Sequence, residues 1–397
     1  MLTRRLLLAT LALLPLSLAA QPPAQQKYQT TPLQDFVWPD IVVPQPPTVF
    51  TGDGHRLLCY ELFITNMNAA PTQLQRVSAF ADNAPTPLFS QSGAELASSL
   101  RHPGLKTQPS PTDNKIFDIA GGERIIDYLW IELPAAAPVP THLSHAITLL
   151  RADKNVTLTV SAAVIPVATE IRTIQSPLRG KNWVAANAPS NKSIHRRTAV
   201  ALNGTTFLPE RFAIDWLQID HDGKTHHGDA LDNKNYLCFG QPVYAVANAT
   251  VSFTHDGVPD GIPATEIKPA DPRVPITLES IGGNLVQLDL GNGVFAAYAH
   301  LQPGSLRVKV GDKVKAGDVL GLLGNSGNST EAHLHFQLMN ANHILAAQGV
   351  PYEMEKFTVI GKADVQNDNK SMTWSAKPQS REKELPLEDE IVDLPEK

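Results

Sequence analysis

The apolar positions of this chain fall mostly in short runs, with a period of two wherever a period shows, and helical spacing is rare. "LLCYELFITN" (57–66) and "VTLTVSAAVIPV" (156–167) carry β-branched and aromatic residues in partial alternation. Clusters such as "NAAPT" and "PSPTDN" separate the runs, so they predict strands joined by turns. "ELASSLRHPG" (95–104) departs from this pattern and predicts a short helix. Further on, "GQPVYAVANATVSF" (240–253) is a turn leading into alternating positions. "GGNLVQLDLGNGVFAAYAHL" (282–301) reads as a hairpin around Gly291-Asn292-Gly293, where positive φ is easily adopted. Asn203-Gly204 marks another tight hairpin, pairing residues whose numbers sum to about 407. The fold class is mostly β.

Length and composition divide that picture. At 397 residues the chain suits two domains with tails. Residues 35–168 have the strand content and size of an immunoglobulin-like β-sandwich, and they contain no catalytic constellation. Residues 168–190, rich in Pro, Ser, Asn and Gly, read as a linker. A second β domain spans 191–360, and the charged stretch 361–397 is expected to be a disordered, solvated acidic tail. At the other end, Arg4 and Arg5 precede an apolar run from Leu6 that closes on Ser17, Ala19 and Ala20. Residues 1–20 therefore predict a signal peptide, and the mature chain is expected to be periplasmic or secreted. No later stretch is apolar enough to span a membrane. A net charge of −6 offers no basic field, which argues against nucleic acid as a partner. For Cys59 and Cys238, a disulfide and two buried thiols both remain open, and their spacing is not that of a metal site.

The candidate chemistry begins at "EAHLHFQL" (331–338). Alternate residues of a strand share a face, so His333 and His335 point into one space. Read together and in order, "GQPVYA", "GGN", "YAHL", "VGDKVKAGDVLGLLGNSG" and "HLHF" resemble the lysostaphin/LytM-type zinc metallopeptidases, which cut peptide cross-links in bacterial cell walls. The resemblance covers roughly residues 205–345. It implies, after the β-sandwich, a compact antiparallel β metallopeptidase core, with one zinc ion and peptidoglycan peptide stems as substrate. It makes His335 and Asp215 zinc ligands and gives His300 and His333 the catalytic roles. The residues agree with this, because zinc takes neutral imidazole and carboxylate ligands and a catalytic site keeps one position open.

One position departs from the family. Its remaining ligand is the histidine of a His-x-x-x-Asp motif, and the matching stretch here is "RFAID" (211–215), with Arg211 in the histidine's place. Guanidinium has no lone pair for a cation. Two substitutes are visible. His195 can approach across the Asn203-Gly204 hairpin with a one-residue shift of register. His226 or His227, in the loop that also holds Asp229, can fold back onto the metal. If Arg211 instead pairs with Asp215, no metal site exists, and the chain is a catalytically inactive relative that binds peptidoglycan or activates another wall hydrolase. His102, His255 and His343 read as surface or structural residues.

Overall fold

A computed structural model describes residues 39–151, 153–263, 275–365 and 372–396. The signal peptide expected over 1–20 lies outside them. Among the described residues no helix is long and apolar enough to cross a membrane.

The N-terminal part forms two five-stranded antiparallel sheets. One runs in the order Pro39–Val42, His55–Asn66, Arg124–Leu133, Leu100–Arg101, with Phe50–Gly52 also on His55–Asn66. The other runs Val156–Pro166, His142–Arg151, Thr72–Ala81, Phe89–Ser92, with Asp118–Ile119 also on Thr72–Ala81. The short helix is Gly93–Ser99. The strand His55–Asn66 is buried on both faces, which is why its sequence is a nearly continuous apolar run. Leu58, Tyr60, Leu62 and Ile64 face the second sheet and pack with Leu74, Val77, Leu143 and Ile147. The alternate residues point the other way, so Leu57 and Cys59 join the core of the C-terminal part. Glu61 belongs to this second set, and its carboxylate is fully buried between the two halves of the molecule.

The C-terminal part is built on an eleven-stranded sheet. Its order is Arg172–Ile174, Tyr352–Lys362, Glu390–Leu394, Gly180–Ala186, Ile214–Gln218, Leu334–Met339, Phe295–Leu301, Asn284–Asp289, Ala249–His255, Lys313–Val314, with Thr373–Glu384 also paired to Tyr352–Lys362. The hairpin expected around residues 291–293 joins Asn284–Asp289 to Phe295–Leu301. The Asn203-Gly204 turn joins Val200–Leu202 to Thr205–Phe207, and each pair sums to 407.

Two expectations are overturned. Residues 168–190 are not a linker: Trp183, Val184, Ala185 and Ala186 are buried mid-sheet, beside the strand that carries Asp215. The tail is not disordered either, since Thr373–Glu384 and Glu390–Leu394 are strands. Ile391 and Val392 are fully buried, and burying such side chains offsets the ordering entropy that the charged composition suggested would win. Both cysteines are buried free thiols.

Candidate metal centre

Strand register makes the first contact. Asp215 lies directly opposite His335, between the neighbouring strands Gly180–Ala186 and Phe295–Leu301. Directly opposed residues share a face, and His333 and Gln337 join them by alternation. The other face of the same strands carries Ile214, Trp216, Leu334, Phe336 and Tyr298 into the core. Alternation would send His300 there as well, after Tyr298. Instead its φ is +63°, which breaks the alternation and brings its ring to 4.7 Å from the His333 ring, centroid to centroid. A non-glycine residue held in this region stores about 1–3 kcal/mol of strain that its surroundings must support.

The glycine-rich stretch supplies that support. His300 N–H donates to the Gly282 carbonyl, and the Gly324 N–H to the His300 carbonyl. A Cβ on Gly283, which has φ +60°, would lie 2.4 Å from the Ser326 carbonyl oxygen, so only glycine lets these segments approach so closely. The approach brings the Ser326 oxygen to 2.7 Å from His300 Nδ1. His333 Nδ1 similarly donates to the Glu331 carbonyl at 2.9 Å. With Nδ1–H committed in both rings, Nε2 carries the lone pair in each neutral imidazole.

Around Asp215, three imidazoles converge. His335 Nδ1 is 2.9 Å from Oδ1, His333 Nε2 is 3.4 Å from Oδ1, and His195 Nε2 is 3.2 Å from Oδ2. Asn187, at φ +49° just past its strand, donates to Oδ2 at 2.9 Å. Burial pushes the Asp215 carboxyl up, but His195 and His333 outweigh it and hold it well below the usual carboxylate range. Burial, with His333 and His335 beside it, holds His300 well below the ordinary imidazole range. Burial lowers His335 too, yet the hydrogen bond and charge of Asp215 prevail and push it up to about 9. His333 is raised for the same reason.

The tautomer of His335 tests whether a cation fits. Gln337 Nε2 donates to the Ile344 carbonyl at 3.1 Å, which can only accept. The amide is thereby oriented with Oε1 toward His335 Nε2 at 2.8 Å, so that nitrogen must carry a proton. In the neutral ring the Nδ1 lone pair then faces a carboxylate oxygen 2.9 Å away. Two acceptors at that distance need a proton or a cation between them. Among the described residues, His195, Asp215 and His335 form a metal-capable group, each offering one ligand atom, with those atoms within 4.8 Å of one another. Two imidazoles and a carboxylate suit zinc.

Of the residues singled out in the sequence, Asp215, His195, His300, His333 and His335 are brought together. His226 and His227 are placed elsewhere: His226 packs on Tyr236 and His227 lies 3.5 Å from Asp220. His195 needs no register shift, because it sits in a turn before the Val200–Leu202 strand. Arg211 does not pair with Asp215. It lies in the turn before the Ile214–Gln218 strand, and its guanidinium reaches Glu61, Gln348 and the Gly349 carbonyl. Sequence reasoning missed Asn187 and Gln337. The second carried a signal, since it lies two residues past His335 and so on the same face.

Residues 229–347 match the profile described as "Peptidase family M23". The match begins downstream of Asp215, so His195 and Asp215 fall outside it. Among curated proteins, the chain is 49% identical over 59 residues to the glycyl-glycine endopeptidase ALE-1 of Staphylococcus capitis, covering 15% of this chain and 16% of that one. It is 41% identical over 83 residues to lysostaphin of Staphylococcus staphylolyticus, covering 21% and 17%. It is 37% identical over 84 residues to the peptidoglycan DD-endopeptidase ShyA of Vibrio cholerae, covering 19% of each. The aligned stretches thus span under a fifth of these relatives' length. Residues 229–347 thus form a stretch similar to the M23 peptidases, lysostaphin among them.

Proposed function

We propose that this chain is an exported zinc-dependent endopeptidase that hydrolyses peptide cross-links of peptidoglycan, in the periplasm or outside the cell. The observation that carries the reading is the meeting of His195, Asp215 and His335 around one point, with His300 and His333 alongside. His195 through Nε2, Asp215 through its carboxylate and His335 through Nδ1 are the groups that would hold the ion, leaving a fourth position for water or substrate. What zinc supplies when bound is Lewis acidity, which polarises a carbonyl and makes water a nucleophile near neutral pH.

The chain's own residues move the protons. His300, held neutral with Nδ1–H tied to Ser326, presents Nε2 to accept a proton from the attacking water. His333, with Nδ1–H tied to Glu331, presents Nε2 to deliver one to the departing amine. Asn187 and Gln337 hold the first carboxylate and the last imidazole in register. Glycyl-glycine and peptidoglycan endopeptidases among the relatives support the substrate class.

The alternative, a metal-free protein that binds peptidoglycan or activates another wall hydrolase, rested on Arg211 occupying the site. That guanidinium is held by Glu61 and not by Asp215, which favours the metal-bound reading, although Arg211 still replaces the family's ligand histidine. The test is zinc content by elemental analysis, together with release of cross-linked peptide fragments from purified peptidoglycan. About one zinc per chain, and release that stops in His335→Ala, is expected. A folded, zinc-loaded preparation that releases nothing overturns the hydrolase reading.

A further inference from the structure

We infer that Glu61, in the N-terminal sheets, is a positioning residue for the metal centre: it binds Arg196 and Arg211 together, drawing one guanidinium out of the site and fixing the turn that presents His195. The inference rests on the zinc reading above, with His195 as a ligand.

Glu61 is shared by two cations. Arg211 Nε donates to Oε1 at 2.9 Å and Nη2 to Oε2 at 2.6 Å, while Arg196 forms an ion pair with Oε1. All three side chains are buried. Guanidinium is not deprotonated in a protein, so both are fixed cations. Their remaining donors are met largely by fixed groups. Arg196 Nη2 reaches the Tyr60 and Leu129 carbonyls at 2.9 and 3.4 Å, and its guanidinium lies 4.9 Å over the Tyr128 ring. Arg211 Nη1 reaches the Gly349 carbonyl at 2.8 Å. Buried charges held this way have few alternative places to go, and losing one partner leaves an uncompensated charge.

The consequence for the site follows from the chain itself. His195 is bonded to Arg196, so anchoring one fixes the other's Cα to within the ~3.8 Å of a peptide unit. Metal-ligating histidines ordinarily donate their second nitrogen to a partner that sets the ring's orientation. His335, like the neighbouring His300 and His333, has such a partner; among the described residues His195 Nδ1, though buried, has none. Beyond its contacts with Asp215 and the His335 ring, its orientation comes from the backbone, and the adjacent turn is anchored on the N-terminal sheets. Besides Arg196, Asn191 donates to the Tyr128 carbonyl at 2.8 Å and Arg197 to the Ser98 carbonyl at 2.5 Å. The N-terminal sheets thus hold the turn that carries the third ligand.

The test is the zinc dissociation constant of the full chain, measured by competition with a chromophoric chelator, alongside the visible spectrum of the cobalt-loaded protein, which reports ligand geometry. Glu61→Gln keeps the side chain's size and removes its charge. Acting one residue removed from His195, it is expected to weaken zinc binding by at least about threefold and by no more than the roughly 10- to 100-fold that loss of a direct outer partner costs, and to alter the cobalt spectrum. A purely structural role would lower the thermal midpoint while leaving zinc affinity and spectrum at wild-type values, and that result overturns the inference. If Glu61→Gln does not fold, Arg196→Lys carries the same test. It keeps a cation opposite Glu61 and gives up the carbonyl contacts, and unchanged affinity there is equally fatal. His195→Ala separates the two claims. If it binds zinc as tightly as wild type, the ligand assignment falls and the inference with it. If it loses zinc while the Glu61 and Arg196 variants do not, only the inference falls.

Discussion

Replacing Gln337 with methionine, nearly equal in length and volume, isolates the control of the His335 tautomer. Gln337 is fully buried, accepts from His335 Nε2 and donates to the Ile344 carbonyl. In the metal-free variant, His335 can give up its Nε2 proton, keep the one on Nδ1 and donate it to Asp215, so little is lost at the imidazole. Zinc bound at Nδ1 forces the proton back to Nε2, which now has no acceptor. A buried donor left unpaired costs about 1–3 kcal/mol, and about 1.4 kcal/mol is tenfold in affinity. The zinc dissociation constant should therefore rise about 5- to 150-fold. The Ile344 carbonyl loses its donor in both states, so its cost appears in the stability of the metal-free protein and cancels from the zinc comparison. The assay is chelator competition at fixed pH, with the metal-free thermal midpoint as a separate readout. Zinc affinity within about twofold of wild type would refute the tautomer argument, and with it the assignment of Nδ1 as the ligand atom.

Three further outcomes follow from the same geometry. His300→Ala should lower turnover on cross-linked peptidoglycan fragments about 10²- to 10⁴-fold, the usual range for a lost acid–base group, with zinc content unchanged; loss of zinc instead would make His300 a ligand. Glu390 is buried, its Oε2 accepts from the Leu387 N–H, and burial raises its carboxyl to about 7. A folded-state pKa above the unfolded one means stability is intact at pH 4 and lost as pH rises through about 7. Glu390→Gln, which keeps the acceptor, should thus add up to about 3 kcal/mol at pH 8 and nothing at pH 4, read from urea midpoints; an equal shift at both would contradict this. Deleting residues 372–397 removes Leu385, Ile391, Val392 and Leu394 from the core. At about 1.5–3 kcal/mol each the loss is on the scale of a domain's net stability. No cooperative unfolding transition should remain, and an unaltered urea midpoint would mean those strands contribute little.

What the sequence disclosed and what it hid divide along physical lines. Local signals were readable: Asn203-Gly204 sets its hairpin register, and the one-residue spacing of His333 and His335 puts both on one face. Composition averaged over long windows misled. The run Trp183–Ala186 disappears among the polar residues of 168–190, and Ile391–Val392 among the charges of 361–397, although each sits at the centre of a strand pair. The direction of His300 depends on one positive φ, which alternation cannot foresee. The fate of Arg211 was least accessible, because its partner Glu61 lies 150 residues upstream and no local pattern links them. Asn187 gave no sign at all, since a polar residue just past a strand is ordinary.

The strand Gly180–Ala186 receives its two neighbours from very different distances along the chain: Ile214–Gln218 follows soon after, whereas Glu390–Leu394 comes from far downstream. During synthesis, therefore, this strand must wait with one side unsatisfied while some two hundred residues are still being made. A waiting edge next to a buried apolar run is a template for mispairing with another copy. Pairings so distant also close slowly. Assembly of the candidate metal centre is thereby tied to synthesis of residues 390–394, and a product terminated before them should tend to clump before the centre forms.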